Sequence, residues 1–261
     1  YDQIPANLRN AFIAIEDERF YEHNGVDLKG VIRAGITAIQ NGGATQGAST
    51  ITQQLIKNNV FEIGGETNFL AKVKRKIQEQ YLAIQVEKTT SKKEILTDYL
   101  NTINLGKGTL GVESAANYYF DKSVDQLTLS ECAVLASITK NPTRLNPIDH
   151  PEDNKERRDI VLKKMYELNY ISSEEYETAL SDDVYSRISK TQASSRQSVY
   201  SYFTDALITQ IVEDLQNEYG YTQSQAYNLV YRGGLRIHST QSTLMQDIAD
   251  TVINDKSNYP V

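Results

Sequence analysis

The chain has 261 residues, 39% of them hydrophobic and 23% charged, enough to bury a sizeable core and near the size at which one domain becomes two. Its 27 Lys and Arg stand against 34 Asp and Glu, a net charge of −7. That removes the global attraction of a nucleic-acid binder, so no nucleic acid is expected as a partner and an anionic ligand must be met by a local basic patch. No run of about 20 apolar residues could span a bilayer and no leader opens the chain; the start at Tyr1 and the end at Val261 read as those of an excised piece.

Helical periodicity dominates the first 180 residues. The apolar run AFIAI leads into Glu16. In DLKGVIRAGITAIQNGG, Leu28, Val31, Ile32, Gly35, Ile36 and Ile39 recur at helical spacing, with Asp27 placed to cap the start and Gly42-Gly43 to stop it. FLAKVKRKIQEQYLAIQ puts Phe69, Val73, Ile77, Tyr81 and Ile84 on one face and Lys72, Arg75, Lys76 and Glu79 on the other. Capping-box spacing, in which a hydroxyl and a Glu three residues on satisfy each other's backbone donors, occurs at Ser91/Glu94, Thr128/Glu131 and Ser172/Glu175. The single cysteine, Cys132, excludes an internal disulfide and shares a helix face with Leu129 and Ala136, as a small buried hydrophobe does.

After about residue 180 the texture changes. Residues 189–198, SKTQASSRQS, are polar and aperiodic, which places a domain boundary near residue 185, with one domain over 1–185 and a connector over 186–261. In the connector, YFTDALITQIVEDLQNEYG and TQSQAYNLVY read as two helices, and GGLRIHSTQ as a short strand.

Three segments carry candidate chemistry. EDERFYEHNGVD, residues 16–27, gathers Glu16, Asp17, Glu18, Glu22 and Asp27 around His23. Glu16, closing an apolar run, could sit partly desolvated, which raises a carboxylate toward the range useful for proton transfer; taken alone, the loop also reads as a solvated acidic helix end. One His among scattered acids lacks the ligand spacing of a metal site. GGATQGASTITQQLIKNN, residues 42–59, has the spacing of a phosphate-binding P-loop but Ala48 where its Lys belongs; what survives is a run of donors, Ser49, Thr50, Thr52, Gln53 and Gln54, leading to Lys57. Between Lys57 and Lys93, eight bases and four acids give a local net of +4. This stripe suits a diphosphate, or a solvated face with a weak Arg75/Glu79 pair. Ser137-Ile138-Thr139-Lys140 matches the Ser-x-x-Lys of acylating serine enzymes, but no Lys-Thr-Gly or Ser-Asp-Asn accompanies it, so the match reads as chance. The carboxylates Glu16 and Glu79 also admit a glycoside hydrolase.

In this order the segments resemble the peptidoglycan glycosyltransferase domain, glycosyltransferase family 51, of class A penicillin-binding proteins. The resemblance covers about residues 4–180 and rests on EDERFYEHNG from Glu16, GASTITQQ from Gly47, RKIQE from Arg75, KKEILTDYLN from Lys92 and RRDIVL from Arg157. It implies a mostly α, lysozyme-like fold with a large head lobe and a small membrane-apposed jaw, followed by a connector with helices and a short strand toward a transpeptidase domain. It also implies polymerisation of lipid II: the sugar 4-hydroxyl of lipid II attacks the anomeric carbon of a lipid-linked glycan strand, with inversion and loss of polyprenyl diphosphate. Glu16 would be the base. Lys57 and Arg75 would meet the diphosphate, Lys76 would add charge, and Glu79 would be a second motif carboxylate. Ser49, Thr50, Gln53 and Gln54 would line the donor side, while Asp17, Phe20 and His23 would shape the loop. No cofactor is required by this reading, and a divalent cation, Mg or Mn, is compatible with it. Val60, Phe61, Ile63, Phe69 and Leu70 around Gly64-Gly65 would form a jaw that dips into lipid, and the full protein would be held by one membrane span with this domain on the outer face, among wall-synthesis partners. A lytic, lysozyme-like hydrolase and a non-catalytic lipid II-binding scaffold are the competing expectations.

Overall fold

A computed structural model describes residues 1–40, 47, 49–61, 68–188, 202–232, 235 and 237–254. Among them the chain is helical, and its one ladder pairing is an isolated antiparallel bridge between Asn104 and Leu110. Two compact units divide at residues 192 and 193.

The core of the first unit is built around α7 (Leu129–Ile138), in which every residue from Ser130 to Ile138 is buried. A helix apolar on all sides must be surrounded. It packs against α1 (Ala6–Glu16), α8 (Pro151–Glu167), α6 (Val112–Phe120) and α9 (Ser173–Ser181). From α1, Leu8, Ala11, Phe12 and Ile13 are fully buried, the last three within the AFIAI run. All three expected capping boxes are formed, starting α5 (Lys92–Thr102), α7 and α9. Gly111 lets α6 turn away from α5: at φ +81, a Cβ there would stand 2.4 Å from the Asn101 carbonyl oxygen. Cys132 is fully buried, as expected, and burial pushes its thiol up.

α3 (Ile51–Val60) lies between α5 and α4 (Phe69–Thr89). Here the amphipathic pattern is turned inside out. The apolar residues of α4, Phe69, Leu70, Ile77 and Tyr81, are exposed, whereas Glu79 is 1% exposed and shares the inner side with Ala83. α2 (Leu28–Gln40) begins at Asp27, whose carboxylate accepts from the Gly30 N–H at 2.9 Å, and it too exposes Leu28, Val31, Ile32 and Ile36. The jaw expected between Asn58 and Leu70 is described only at its ends; Ile63 and Gly64-Gly65 lie outside the described residues, while Val60, Phe69 and Leu70 are exposed.

The domain end differs from the expected residue 185. Ile188 is buried in the first core, and Arg187 pairs with Asp182 at 2.7 Å and with Glu131 at 3.2 Å, so the chain stays with the first unit through Ile188. In the second unit, α10 (Tyr202–Tyr219) packs on α11 (Gln223–Arg232), burying Val212 and Ala226, and α12 (Thr243–Asn254) follows. The expected connector strand lies partly outside the described residues; among those described, Leu235 and residues 237–240 have no ladder partner. Alternation without a neighbouring strand leaves backbone groups unpaired, and extended pairing needs that neighbour.

Candidate active site

α1 ends at Glu16 because Asp17, at φ −158 and ψ 71, leaves the helix. The Glu16 side chain is half-buried, and each carboxylate oxygen accepts one hydrogen bond: Oε1 from the Thr139 hydroxyl at 2.5 Å, Oε2 from the Gln54 amide at 2.7 Å. Thr139 follows α7 and Gln54 lies on α3, so two separate elements fix one carboxylate. Arg157 of α8 adds a guanidinium that burial pushes below the usual range, against the opposing pull of the Glu16 charge; its Nε is buried with no partner among the described residues.

The loop after Glu16 is held from the inside. Asp17, 6% exposed, accepts from His23 Nε2 at 2.9 and 3.0 Å and from the Ile51 backbone N–H at 3.0 Å, which ties it to the start of α3. Lys92 of α5 stands 4.4 Å above the buried Phe20 ring, 3.5 Å from His23 Nδ1, and pairs with Glu87 at 2.7 Å. Gly25, at φ +90, brings the loop backbone so close to α4 that a Cβ would meet the Ala83 carbonyl at 2.6 Å. Thr50 secures this contact by donating to the Gly25 oxygen at 2.7 Å while accepting from the Gln53 N–H at 3.1 Å. At the far end of the loop Arg19 donates to Asp27 at 2.5 Å; burial pushes that carboxyl up, and the guanidinium and the Gly30 N–H more than reverse it, holding it below the usual range.

The cationic stripe meets the start of α3. Lys76 Nζ donates to Ser49 Oγ at 2.8 Å, Gln53 Oε1 at 3.2 Å and Glu79 Oε2 at 3.0 Å, and Arg75 pairs with the other Glu79 oxygen. Two cations on one buried carboxylate leave the cluster net positive. Lys57, one turn beyond Gln54 on α3, makes no hydrogen bond or ion pair among the described residues. Glu16, Asp17, Ser49 and Thr50 line a small cleft of about 40 Å³ together with Glu18, Asp27 and Arg33, and Ser49 is also the partner of Lys76. No group of three or more His, Cys, Asp or Glu suited to a metal occurs among the described residues.

The structure thus gathers Glu16, Asp17, Phe20, His23, Ser49, Thr50, Gln53, Gln54, Arg75, Lys76 and Glu79 into one neighbourhood. It adds Thr139, Tyr99, Lys92 and Arg157, which the residue-by-residue reading gave no role. Thr139 lies 123 positions from its partner Glu16, and no periodicity carries a contact of that range. Arg157, Lys92 and Tyr99 stand in quoted motifs, the signal that could have drawn attention to them. Ser137 is fully buried and donates to the Ala133 carbonyl at 2.6 Å, which disposes of the Ser-x-x-Lys match.

A mostly helical unit with a carboxylate at a helix end and a cationic cluster beside it fits the glycosyltransferase class that the motifs suggested. The Transglycosylase family matches residues 1–166, and the chain belongs to it. It is 44% identical to penicillin-binding protein 1A of Clostridium perfringens over 99% of this chain and 32% of that protein. It is 40% identical to penicillin-binding protein 1F of Bacillus subtilis over 99% of this chain and 34% of that one. A crystal structure of penicillin-binding protein 1A from Haemophilus influenzae shares 34% identity over 52% of this chain and 19% of its own, with a TM-score of 0.37. The chain spans about a third of the length of the curated relatives it matches.

Proposed function

We propose that this domain is the peptidoglycan glycosyltransferase of a class A penicillin-binding protein and polymerises lipid II into glycan strands. The observation that carries the reading is the start of α3: Gln54, with Thr139, fixes the Glu16 carboxylate, while Gln53 and the preceding Ser49 accept from Lys76 of the Lys76–Glu79–Arg75 cluster. Transfer from a lipid-linked donor expels a diphosphate, a stabilised anion, so the protein needs one base and fixed positive charge. Glu16 takes the proton of the attacking 4-hydroxyl; the new glycosidic bond forms on the face opposite the departing diphosphate, which inverts the anomeric carbon. Lys57, Arg75 and Lys76 receive the charge that leaves. Glu79, with both oxygens engaged by cations, aligns them. A neutral sugar leaving group, as in a hydrolase, would not call for such a cluster. The reaction needs no cofactor; a divalent cation, if used, would act on the diphosphate oxygens.

The outward apolar faces of α2 and α4, with Val60, supply a surface suited to the lipid headgroup boundary, where the substrate's polyprenyl chain resides. Among the described residues no helix is long and apolar enough to cross a membrane; the single span, the outer-face location and the wall-synthesis partners belong to the longer protein this reading implies.

The test is incubation of the domain and Glu16→Gln with purified lipid II in detergent, with products resolved on a gel. A glycan ladder from the wild type and at least a thousandfold loss in the variant, with an unchanged melting temperature, is expected, on the order of what removal of a catalytic base and its transition-state contacts costs. Near-normal turnover by Glu16→Gln would overturn the assignment, and soluble fragments released from finished cell wall would favour the hydrolase.

A further inference from the structure

We propose that Tyr99 is a positioning residue for the base: its hydroxyl orients the Gln54 amide, and that amide holds the Glu16 carboxylate in its reactive setting. The proposal rests on the reading of Glu16 as the base. A carboxylate only accepts, so the Gln54 group 2.7 Å from Glu16 Oε2 must be the NH2. The amide oxygen is thereby turned toward α5, where the Tyr99 hydroxyl donates to it at 3.3 Å. Turning the amide over would set an oxygen against the carboxylate and leave Glu16 one donor short. The chain Tyr99 to Gln54 to Glu16 therefore has one consistent direction of donation, and Tyr99 weights it.

Tyr99 is built for a fixed role rather than for contact with solvent or substrate. It is fully buried on the inner side of α5, with its ring edge-on to Phe12 at a centroid distance of 6.2 Å. A buried hydroxyl needs a partner, and Gln54 is the one found here. Burial, followed by the charges of Glu16 and Asp17, holds the phenol well above its ordinary range, so it remains a donor wherever Glu16 is ionised.

Glu16 itself closes a helix, and its terminal torsion is soft. Donors on both oxygens, Thr139 on Oε1 and Gln54 on Oε2, restrain that torsion and leave the remaining lone pairs for an incoming hydroxyl. The groups that face the carboxylate are Thr139 beyond α7, Gln54 on α3, the Arg157 charge on α8, and, through Gln54, Tyr99 on α5; Asp17 follows it in the chain. A loosened Gln54 would leave that carboxylate free to turn away from the attacking hydroxyl, and would lower kcat more than it alters KM.

The experiment is a double-mutant cycle on the domain, using Tyr99→Phe, Gln54→Met and both together, with near-ultraviolet circular dichroism to verify the fold and the ¹⁵N chemical shift of the Gln54 side-chain amide as a local probe. In Tyr99→Phe that amide shift should move, and kcat on lipid II should fall roughly five- to tenfold with KM within about twofold, as expected of one relayed hydrogen bond. In the Gln54→Met background the same change should add nothing. Equal effects in both backgrounds would make Tyr99 merely structural, and an unmoved Gln54 amide in Tyr99→Phe would likewise overturn the proposal. If Tyr99→Phe fails to fold, 3-fluorotyrosine at position 99, which keeps the ring and alters the hydroxyl's donor strength, takes its place, and an unmoved Gln54 amide overturns the relay. If the wild type makes no glycan, the functional reading fails, yet the Gln54 amide shift still decides whether the relay exists.

Discussion

α7 and α4 are both helices with many apolar residues, and the protein treats them in opposite ways. α7 buries its whole circumference, whereas α4 turns Phe69, Leu70, Ile77 and Tyr81 outward and buries Glu79. The difference is chemical. α7 carries only small and aliphatic side chains over its buried length, apart from Ser130, Ser137 and the ion-paired Glu131. α4 must present Lys76 to Ser49 and Gln53 and hold Glu79 between Lys76 and Arg75, and on a helix that commitment forces the opposite face away from the protein. An apolar stripe thus shows where a helix avoids water, while the neighbour it seeks can be a core or another apolar phase.

This contrast can be broken at graded cost. Removing a core side chain from α7, Leu135→Ala, should destabilise the domain by about 3 kcal/mol in urea unfolding, because a fully buried leucine leaves a cavity. A loss below about 1 kcal/mol would mean that the core is less tightly packed than described. Next in size is Glu79→Gln, which leaves Arg75 and Lys76 on a neutral partner. Breaking a buried pair commonly costs 3–5 kcal/mol, but both cations here reach solvent, so about 2 kcal/mol is expected, together with a large fall in lipid II polymerisation. Unchanged activity would remove the cluster from the mechanism.

The third prediction concerns pH. Burial pushes the Glu131 carboxyl up, but Lys122, Arg187 and the Thr128 N–H reverse that and hold it below the usual carboxylate range. A folded value below the unfolded one means that its contribution is complete above the unfolded value and is lost as pH falls through the folded one. Stability measured from neutral to acid pH should therefore fall less steeply in Glu131→Gln than in wild type, and parallel profiles would refute the assignment. Smallest is Ile77→Ala on the outer face of α4. Its effect on unfolding should stay below about 0.5 kcal/mol, as for an exposed site, while binding to anionic lipid vesicles in co-sedimentation weakens. A core-sized loss of stability with unchanged vesicle binding would reverse the reading of α4.

Much of the fold was legible because it is local. Asp27 at the start of α2, the three Ser/Thr–Glu boxes, the burial of Cys132 and the apolar face of α1 depend on neighbours within one helical turn, and spacing encodes them directly. The boundary was off by a few residues because Arg187 and Ile188 are claimed by distant partners rather than by local composition. The described part of the connector strand shows a related limit: alternation at Leu235 and Ile237 is a local signal, but a strand exists only when another backbone lies beside it.

The sequence by itself determined the helices, their caps, the acidic loop at Glu16 and the basic stripe at Lys72–Lys76, since each is written in residues a few positions apart. Only the tertiary structure decided that Thr139 and Gln54 converge on one carboxylate, that Tyr99 stands behind Gln54, that Lys76 reaches Ser49, and that α4 faces outward with its apolar side. Hydrogen bonds between side chains far apart in the chain form only after the helices have packed, and their geometry is set by that packing rather than by the local pattern of any segment.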